Sequence, residues 1–216
     1  MSVFIVIPAR NEENTIKEIV VQAKPFGTVV VVDDGSDDNT AGIAEKAGAS
    51  VLHHIVNIGK GGALKTGCDF ALMHDADRIV AIDADAQHDP RQIPAFLSSL
   101  ETHDIVFGYR TFSKNMPRVL QFGNSFINLV ASLLYHVSLH DTQCGYRAFT
   151  AAAYKKLRWT AYDYSVESEM VSNTGKKKLR YAQVPIKTIY LDNYKGTTVL
   201  DGIKIVMKML WWKVTG

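Results

Sequence analysis

Four oxygen-bearing side chains follow an apolar run in the segment RIVAIDADAQHDP, residues 78–90, and three of them are evenly spaced. Asp83, Asp85 and Gln87 are each two positions apart, and on an extended segment such side chains point to the same side. Carboxylate and amide oxygens suit a hard divalent cation, Mg²⁺ or Mn²⁺, which substrate phosphates would help to coordinate. We therefore predict a cation site at Asp83, Asp85 and Gln87.

Two other loops carry residues that could contact a nucleotide. In VVVVDDGSDDNT the strand pattern runs into Asp33 and Asp34, and a carboxylate at a strand end can accept hydrogen bonds from a base or a ribose. In NIGKGGALKTG, Lys60 lies among glycines, which let the backbone approach an anion that the lysine neutralises. Two interpretations of Lys60 stay open, a flexible turn before a helix and a contact to phosphate.

Neighbouring polar residues have simpler interpretations. We expect Asp37, Asp38 and Asn39 to cap the following helix, as such residues commonly do. We expect Asp89 to cap a helix that starts with Pro90. His88 is interpreted as structural or solvent-facing, because better oxygen ligands lie beside it.

Strand and helix patterns alternate at βαβ spacing in the first half of the chain. Nearly all-apolar strands predict a mainly parallel sheet covered on both faces, with ligands at the carboxyl ends of its strands. The strand patterns cover Val3–Ile7, Thr28–Val32, Ser50–His53, Ile79–Ile82 and Asp104–Phe107. The helical patterns cover Thr15–Lys24, Thr40–Ala47, Gly62–His74 and Pro90–Leu100.

The alternation stops after Gly108, and the second half is predicted to extend the same domain. Its helical patterns cover Val119–Leu139, Ala151–Leu157, Ser165–Asn173 and Val199–Lys213, and its strand-like runs cover Leu179–Val184 and Ile186–Leu191. We predict one domain over residues 1–216, with residues 1–108 binding the first substrate and residues 109–216 the second.

Composition is that of an ordinary globular protein. The 216 residues are 47% hydrophobic and 21% charged, with a net charge of +2, too mild to argue for nucleic acid binding. The two cysteines, Cys68 and Cys144, have no metal-like spacing and are expected to be reduced thiols of an intracellular protein. The opening MSVFIVIPAR is predicted to be a first strand, not a signal peptide.

Taken together, the motifs resemble the family 2 glycosyltransferases of GT-A fold, and within them the polyprenyl-phosphate sugar transferases. VIPARNEENTI, VVDDGSDDNT, NIGKGGALKTG and AIDADAQHDP follow the order and spacing of that family, and DTQCGYRAF resembles a later segment of the subgroup. The resemblance covers about residues 3–190. It implies an α/β fold with a mainly parallel, twisted, Rossmann-like sheet flanked by helices and a C-terminal acceptor-side extension.

The resemblance also implies roles for individual residues. Pro8, Arg10, Glu12 and Asp33 would line the nucleoside pocket, and Asp85 would be the direct metal ligand of the D-x-D pair. Arg110 would meet a phosphate of the acceptor or the donor, and Asp141 and Arg147 would shape the acceptor side. One position departs from the subgroup: an arginine expected after the late strand is replaced by the stretch YLDNYKGTTVLDG.

The implied reaction is an inverting, metal-dependent transfer of a sugar from a nucleotide-sugar, of the GDP-mannose or UDP-glucose type, to a polyprenyl phosphate. An ionised phosphate acceptor needs charge neutralisation more than deprotonation, which Arg110, Arg118 and Arg147 would supply. Glu169 is the candidate if a general base is needed, and a helix-surface glutamate is the alternative. Other open functions are transfer to a glycan or small-molecule hydroxyl, nucleotidyl transfer, and non-catalytic binding of a sugar nucleotide.

Two amphipathic helices bear on the location of the protein. The pattern at 119–139 carries a polar stripe, which argues against a membrane span. The terminal pattern at 199–213 opposes Lys204 and Lys208 to Met207, Leu210 and Trp211, an arrangement typical of an interfacial helix or of a helix packed on the core. We predict a cytoplasmic enzyme bound peripherally to the cytoplasmic face of a membrane through this helix.

Overall fold

A computed structural model describes residues 1–110, 118–187 and 199–215, and within these ranges it describes no side chains for residues 118–124 and 199–203. The described strands are β1 Val3–Ala9, β2 Thr28–Asp33, β3 Ser50–His53, β4 Arg78–Ala81, β5 Ile105–Arg110, β6 Arg147–Thr150 and β7 Tyr181–Ile186. The described α-helices are α1 Ile16–Ala23, α2 Thr40–Ala47, α3 Lys60–Met73, α4 Ile93–Ser99, α5 Arg118–Tyr135, α6 Ala151–Leu157, α7 Val166–Lys176 and α8 Val199–Thr215.

The described strands form one sheet in the order β3-β2-β1-β4-β6-β5-β7. β1 pairs in parallel with β2 and β4, β2 with β3, and β5 with β7. The predicted α/β fold with a mainly parallel sheet is therefore confirmed. Because the parallel strands point the same way, the loops after β1, β2, β4 and β5 meet at one edge of the sheet.

The one antiparallel strand among those described, β6, was not predicted. It inserts between β4 and β5, and it pairs antiparallel with both. Its sequence, RAFT, is only four residues long, and it begins with a charged arginine that obscures the apolar pattern. Arg147 is buried inside the fold, which a local sequence pattern does not predict.

Side chains of successive strand residues point to opposite faces, and each face has its own core. On one face Val6, Val30 and Ile79 pack with α3, α5, α7 and α8. On the other face Ile5, Val31 and Val80 pack with α1, α2 and α4. The buried valines and isoleucines of these strands explain why their sequences are almost purely apolar.

The two amphipathic patterns form helices that pack on the first of these faces. α8 is anchored by Ile205 and Met209, which are buried, while Met207, Leu210 and Trp211 are exposed. α8 thus packs on the core and still presents an apolar stripe. No described helix is both long enough and apolar enough to cross a membrane.

Candidate active site

A cavity of about 550 Å³ opens at the sheet edge where the parallel strands end. Nine of the residues predicted from the sequence line it: Pro8, Arg10, Glu12, Asp34, Lys60, Asp83, Asp85, Gln87 and Arg110. Four others, Asp33, Asp141, Arg147 and Glu169, are not among its lining residues. The side chain of Arg118 and the stretch after the late strand, residues 190–198, lie outside the described residues.

The aspartate pair is brought together by a bend, not by the extended segment that the sequence pattern predicts. β4 ends at Ala81, and Ala86 has a φ of 59°, in the left-handed region. The carboxylate Oδ1 of Asp85 accepts a hydrogen bond of 3.0 Å from the backbone N–H of Gln87. Asp83, Asp85 and Gln87 nevertheless all face the same cavity, as predicted.

Lys60 bridges two carboxylates at the wall of the cavity. Its Nζ lies 2.7 Å from Oδ1 of Asp83 and 2.8 Å from Oε1 of Glu167. Burial opposes the charge of Lys60, but the two carboxylates outweigh it and raise the pKa of the ammonium. Burial likewise opposes ionisation of Asp83, and the Lys60 charge outweighs it, so the pKa of Asp83 lies below its ordinary value.

Asp85 has the opposite shift. Its burial, together with the nearby charge of Asp83, raises the pKa of Asp85. Repulsion of this kind is relieved either by a proton on one carboxylate or by a cation beside the pair. Lys60 supplies one positive charge beside the carboxyl groups of Asp83, Asp85 and Glu167, so this part of the cavity can accommodate a further cation.

These residues fit a divalent cation that takes its remaining ligands from a substrate. No cluster of three or more His, Cys, Asp or Glu side chains with metal-binding geometry occurs in the described parts of the chain. What the protein offers at the cavity is the carboxylates of Asp83 and Asp85 and the amide of Gln87, which all have hard oxygen atoms. That set is typical of Mg²⁺ sites, where substrate phosphates and water supply the rest.

Gly145 allows Asp83 to occupy its position. A Cβ at residue 145 would lie 2.3 Å from Oδ2 and 2.7 Å from Oδ1 of Asp83. Any larger residue would therefore displace the carboxylate. The segment DTQCGYRAF thus contributes to the site by leaving space for an aspartate from another loop.

The glycine-rich loop is shaped by protein contacts. The N–H of Gly59 donates to Oδ2 of Asp34 at 2.8 Å, and the N–H of Gly61 donates to the carbonyl of Tyr162 at 2.7 Å. A Cβ at Gly59 or Gly61 would lie within 2.4 Å of the facing carbonyl oxygens of residues 161 and 162. These glycines are needed for close packing of two loops, and the packing directs Lys60 into the cavity.

Asp34 is committed to the same loop. Its Oδ1 accepts a hydrogen bond from the N–H of Ile58 at 2.9 Å and lies 2.8 Å from Nδ1 of His54. Asp33, which the sequence favoured as a nucleoside ligand, accepts a hydrogen bond from Ser36 and lies 3.6 Å from His53. The geometry gives both aspartates a loop-holding role, with Asp34 at the cavity wall.

Arg110 and Asp141 form one unit at the end of β5. Nε of Arg110 lies 2.6 Å from Oδ2 of Asp141, and Nη2 lies 3.1 Å from Oδ1. The Asp141 side chain is 1% exposed, and the Arg110 side chain, 17% exposed, lines the cavity. A bidentate contact fixes the plane of a guanidinium, so Asp141 orients Arg110 and is itself shielded from ligands.

Arg147, predicted to bind the acceptor, is buried. Its guanidinium donates to the backbone carbonyls of Thr142, Cys144 and Glu167 at 2.7–3.0 Å. All three nitrogens therefore hold loop and helix backbone in place. Arg147 thereby shapes the backbone around the cavity, and its predicted role in binding the acceptor stays a prediction.

The two glutamates of VESEM, Glu167 and Glu169, have different environments. The sequence analysis named Glu169 as the candidate general base. Glu169 accepts hydrogen bonds from the N–H groups of Thr160 and Ala161 at 2.9 and 2.8 Å, and it does not line the cavity. Glu167 does line it and pairs with Lys60. The two residues are two positions apart on a helix and so point to different sides, but only the packing of α7 shows which side faces the cavity.

The neighbouring residues His88 and Asp89 also have different environments. His88 is buried at the cavity wall, and burial lowers the pKa of its ring. Asp89 accepts a hydrogen bond from the N–H of Arg91 at 2.9 Å and caps the 3₁₀ turn Pro90–Gln92 that precedes α4. The predicted cap is confirmed.

The chain is similar in sequence to known glycosyltransferases. The family model for glycosyl transferase family 2 matches residues 4–158. An uncharacterized protein of Methanocaldococcus jannaschii is 39% identical over 224 residues, which cover 98% of this chain and 92% of that protein. The UDP-N-acetylglucosamine–dolichyl-phosphate N-acetylglucosaminyltransferase of Methanococcus voltae is 33% identical over 241 residues, covering 98% of this chain and 96% of that protein.

A solved structure shows the same fold. Glucosyl-3-phosphoglycerate synthase from Mycobacterium tuberculosis, in complex with Mg²⁺ and uridine diphosphate, superimposes with a TM-score of 0.79 at 21% identity. The match covers 98% of this chain and 79% of that one. The resemblance noted in the sequence is therefore confirmed: this chain belongs to glycosyltransferase family 2 and is a glycosyltransferase of GT-A fold.

Proposed function

We propose that this enzyme transfers a sugar from a nucleoside diphosphate sugar to a polyprenyl phosphate, with inversion at the anomeric carbon. The observation that carries the proposal is one cavity that is lined by Asp83, Asp85 and Gln87 and also by the oriented guanidinium of Arg110. It offers hard oxygen ligands for a cation beside a diphosphate, and a guanidinium charge held in place by Asp141 for a second phosphate.

The donor occupies the side of the cavity near β1 in this proposal. Pro8, Arg10 and Glu12 contact the nucleoside, and Asp83, Asp85 and Gln87 hold Mg²⁺ or Mn²⁺ at the diphosphate. The bound cation supplies charge stabilisation for the leaving diphosphate. The relative from Methanococcus voltae is named for a UDP-sugar donor, so a UDP-sugar is the first donor to test, before GDP-mannose.

The acceptor phosphate approaches Arg110 on the opposite side. A phosphate monoester is largely ionised at neutral pH, so its oxygen attacks the anomeric carbon without a protein base. The buried and fully engaged carboxylate of Glu169 supports this route. The name of the Methanococcus voltae relative, which includes dolichyl phosphate, also supports this class of acceptor.

A membrane surface is the place where such an acceptor is found, and two helices offer a contact for it. α5 exposes Phe126, Leu129 and Leu133, and α8 exposes Met207, Leu210, Trp211 and Val214. The polar side of α8 reaches the cavity rim, where Lys208 pairs with Asp163 at 2.8 Å. We place the enzyme peripherally on the cytoplasmic face, where nucleotide sugars are available.

The proposal is tested by product analysis. The purified enzyme is incubated with labelled UDP- and GDP-sugars, polyprenyl phosphate in vesicles, and Mg²⁺ or Mn²⁺. We expect one donor to yield a label that partitions into organic solvent and is released by mild acid. Label found only on a water-soluble hydroxyl acceptor would refute the lipid acceptor, and turnover unaffected by a chelator would refute the metal role.

A further inference from the structure

The ammonium of Lys60 lies next to Asp83, where it would compete with a metal ion for the carboxylate. It lies 2.7 Å from Oδ1 of Asp83, one of the two carboxylates that would hold a cation. Two positive charges cannot share one carboxylate oxygen at contact distance without strong repulsion. A cation that binds Oδ1 of Asp83 must therefore displace the ammonium of Lys60, and one that binds Oδ2 lies beside a positive charge that weakens its binding.

Glu167 offers the ammonium another place to go. Its side chain is 7% exposed, and Oε1 already contacts Nζ of Lys60 at 2.8 Å. Its second oxygen, Oε2, is buried and has no hydrogen-bond partner among the described residues. A buried carboxylate oxygen without a donor is costly, and a small movement of Lys60 toward Glu167 would supply that donor.

The surroundings favour movement of Lys60 over movement of either carboxylate. The carboxylate of Asp83 packs directly against Gly145, where a Cβ would lie 2.3 Å from Oδ2, so it cannot move toward that residue. Glu167 lies on α7, and its backbone carbonyl is held by Arg147 at 2.7 Å. Lys60 has a flexible four-carbon stem and follows Gly59, whose φ is 96°.

We propose that Lys60 is an exchangeable internal cation, which neutralises Asp83 in the donor-free enzyme and moves onto Glu167 when a divalent cation binds. Glu167 is then a positioning residue that acts through Lys60. This inference rests on the proposed metal role of Asp83 and Asp85. It predicts that removing the charge of Lys60 strengthens metal binding and that removing the charge of Glu167 weakens it.

The test measures Mn²⁺ binding without nucleotide, by the electron paramagnetic resonance signal of the free ion. Lys60→Met removes the competing charge, so we expect Mn²⁺ to bind about tenfold more tightly. Glu167→Gln leaves Lys60 on Asp83, so we expect binding to weaken by about tenfold. In the Lys60→Met background, Glu167→Gln should change affinity by less than about threefold, because Glu167 has lost the residue through which it acts.

Matched variants separate this effect from a general change of charge. Asp163→Asn removes a carboxylate from the cavity rim that does not contact Lys60, and it should shift Mn²⁺ affinity by no more than about twofold. Lys60→Arg keeps the charge and should not tighten binding. Equal effects of Glu167→Gln with and without Lys60 would overturn the exchange, as would weaker binding to Lys60→Met.

A second measurement needs no substitution of Lys60 or Glu167. In a structure of the wild-type enzyme with Mn²⁺ alone, Nζ of Lys60 should remain on Glu167 and lie more than about 4 Å from Asp83. A Lys60–Asp83 contact that persists beside the bound ion would refute the exchange while leaving the metal role intact. If the wild type bound no Mn²⁺ even with UDP, and Asp85→Asn behaved the same, the metal role itself would fall.

Discussion

Asp85 and Asp89 lie four positions apart in one short segment and have separate roles. Asp85 lines the cavity, and its pKa is raised by burial and by the charge of Asp83. Asp89 is a cap whose pKa is lowered by hydrogen bonds from the Arg91 side chain. Two residues with the same side chain thus differ in pKa and in role because their surroundings differ.

Substitution of each aspartate distinguishes the two roles. Asp85→Asn removes a charge that would hold the cation, so we expect turnover to fall by at least about 100-fold with little change in Tm. Asp89→Ala should reduce stability by about 1 kcal/mol through the lost cap and leave kcat unchanged. Steady-state kinetics and thermal unfolding of both variants give the answer, and similar kcat losses in the two would contradict the division of roles.

Glu169 gives a second test at the residue scale. Its carboxylate accepts hydrogen bonds from the loop that carries Asp163 and Tyr164 to the cavity. We expect Glu169→Gln to reduce stability by about 1–3 kcal/mol, because one buried loop donor loses its acceptor. We also expect a higher KM for the donor.

The pH–rate profile distinguishes this positioning role from general-base catalysis. A general base would contribute about 10²–10⁴-fold to kcat and would leave its pKa in the profile. We expect the profile of Glu169→Gln to keep the wild-type shape. Loss of its acidic limb would restore Glu169 as the base.

At the scale of elements, loops after different strands depend on each other. The glycine-rich loop packs on residues 161–162, and the segment before β6 makes room for Asp83. α8 is tied to the same region by Lys208, which pairs with Asp163. The position of α8 is therefore coupled to the rim of the cavity.

This coupling has a pH dependence. Burial alone would raise the pKa of Asp163, but hydrogen bonds from Lys208 and Ser165 outweigh it and lower the pKa to about 2. A carboxylate with a lowered folded-state pKa stabilises the fold above its unfolded pKa of about 3.9, and this stabilisation is lost as the pH falls toward 2. We therefore expect Asp163→Asn to have a lower Tm than the wild type at pH 7.

The Tm difference should shrink steadily below about pH 4. Lys208→Met removes the same pair from its other side and should show the same trend in thermal unfolding scans. A Tm difference that stays constant between pH 7 and pH 3 would show that the pair does not determine the stability of this contact.

At the scale of the whole molecule, the exposed apolar side chains of α5 and α8 form the surface proposed to meet the membrane. Leu133 and Trp211 are 69% and 67% exposed. α5 and α8 pack together, and the carbonyl of Leu134 accepts a hydrogen bond from Lys213 at 2.8 Å. Binding of such a surface to lipid scales with its buried apolar area.

Vesicle flotation tests this surface. We expect the double variant Leu210→Glu, Trp211→Glu to lose most of its binding to anionic vesicles, by about tenfold or more, while turnover with a short, water-soluble phosphate acceptor is kept. Val21→Glu is the matched control, since Val21 is an exposed apolar residue on α1, across the sheet. Equal flotation of the three proteins would refute the membrane contact.

Much of the fold was predictable because local patterns and tertiary structure agree. The apolar runs at Thr28–Val32 and Ser50–His53 became β2 and β3, and α6 has the predicted bounds. β6 was missed because its short pattern begins with a charged arginine, which is buried only in the tertiary structure. The second strand-like run, Ile186–Leu191, extends beyond the described residues.

The site was predictable in its loops but not in its individual contacts. Asp83, Asp85, Gln87, Lys60 and Arg110 were identified, and all line the cavity. Their residue types and the strands before them restrict where they can lie. The division into residues 1–108 and 109–216, with a separate substrate for each half, remains a prediction.

The sequence by itself determined the family, the parallel sheet, and the edge at which oxygen ligands and basic side chains collect, because these follow from periodicity and motif order along the chain. Only the tertiary structure decided which carboxylate faces the cavity and which holds a loop. Glu167 and Glu169, like Asp33 and Asp34, differ in packing and not in chemistry. Burial and hydrogen bonds from distant segments set their roles, and no local pattern contains those contacts.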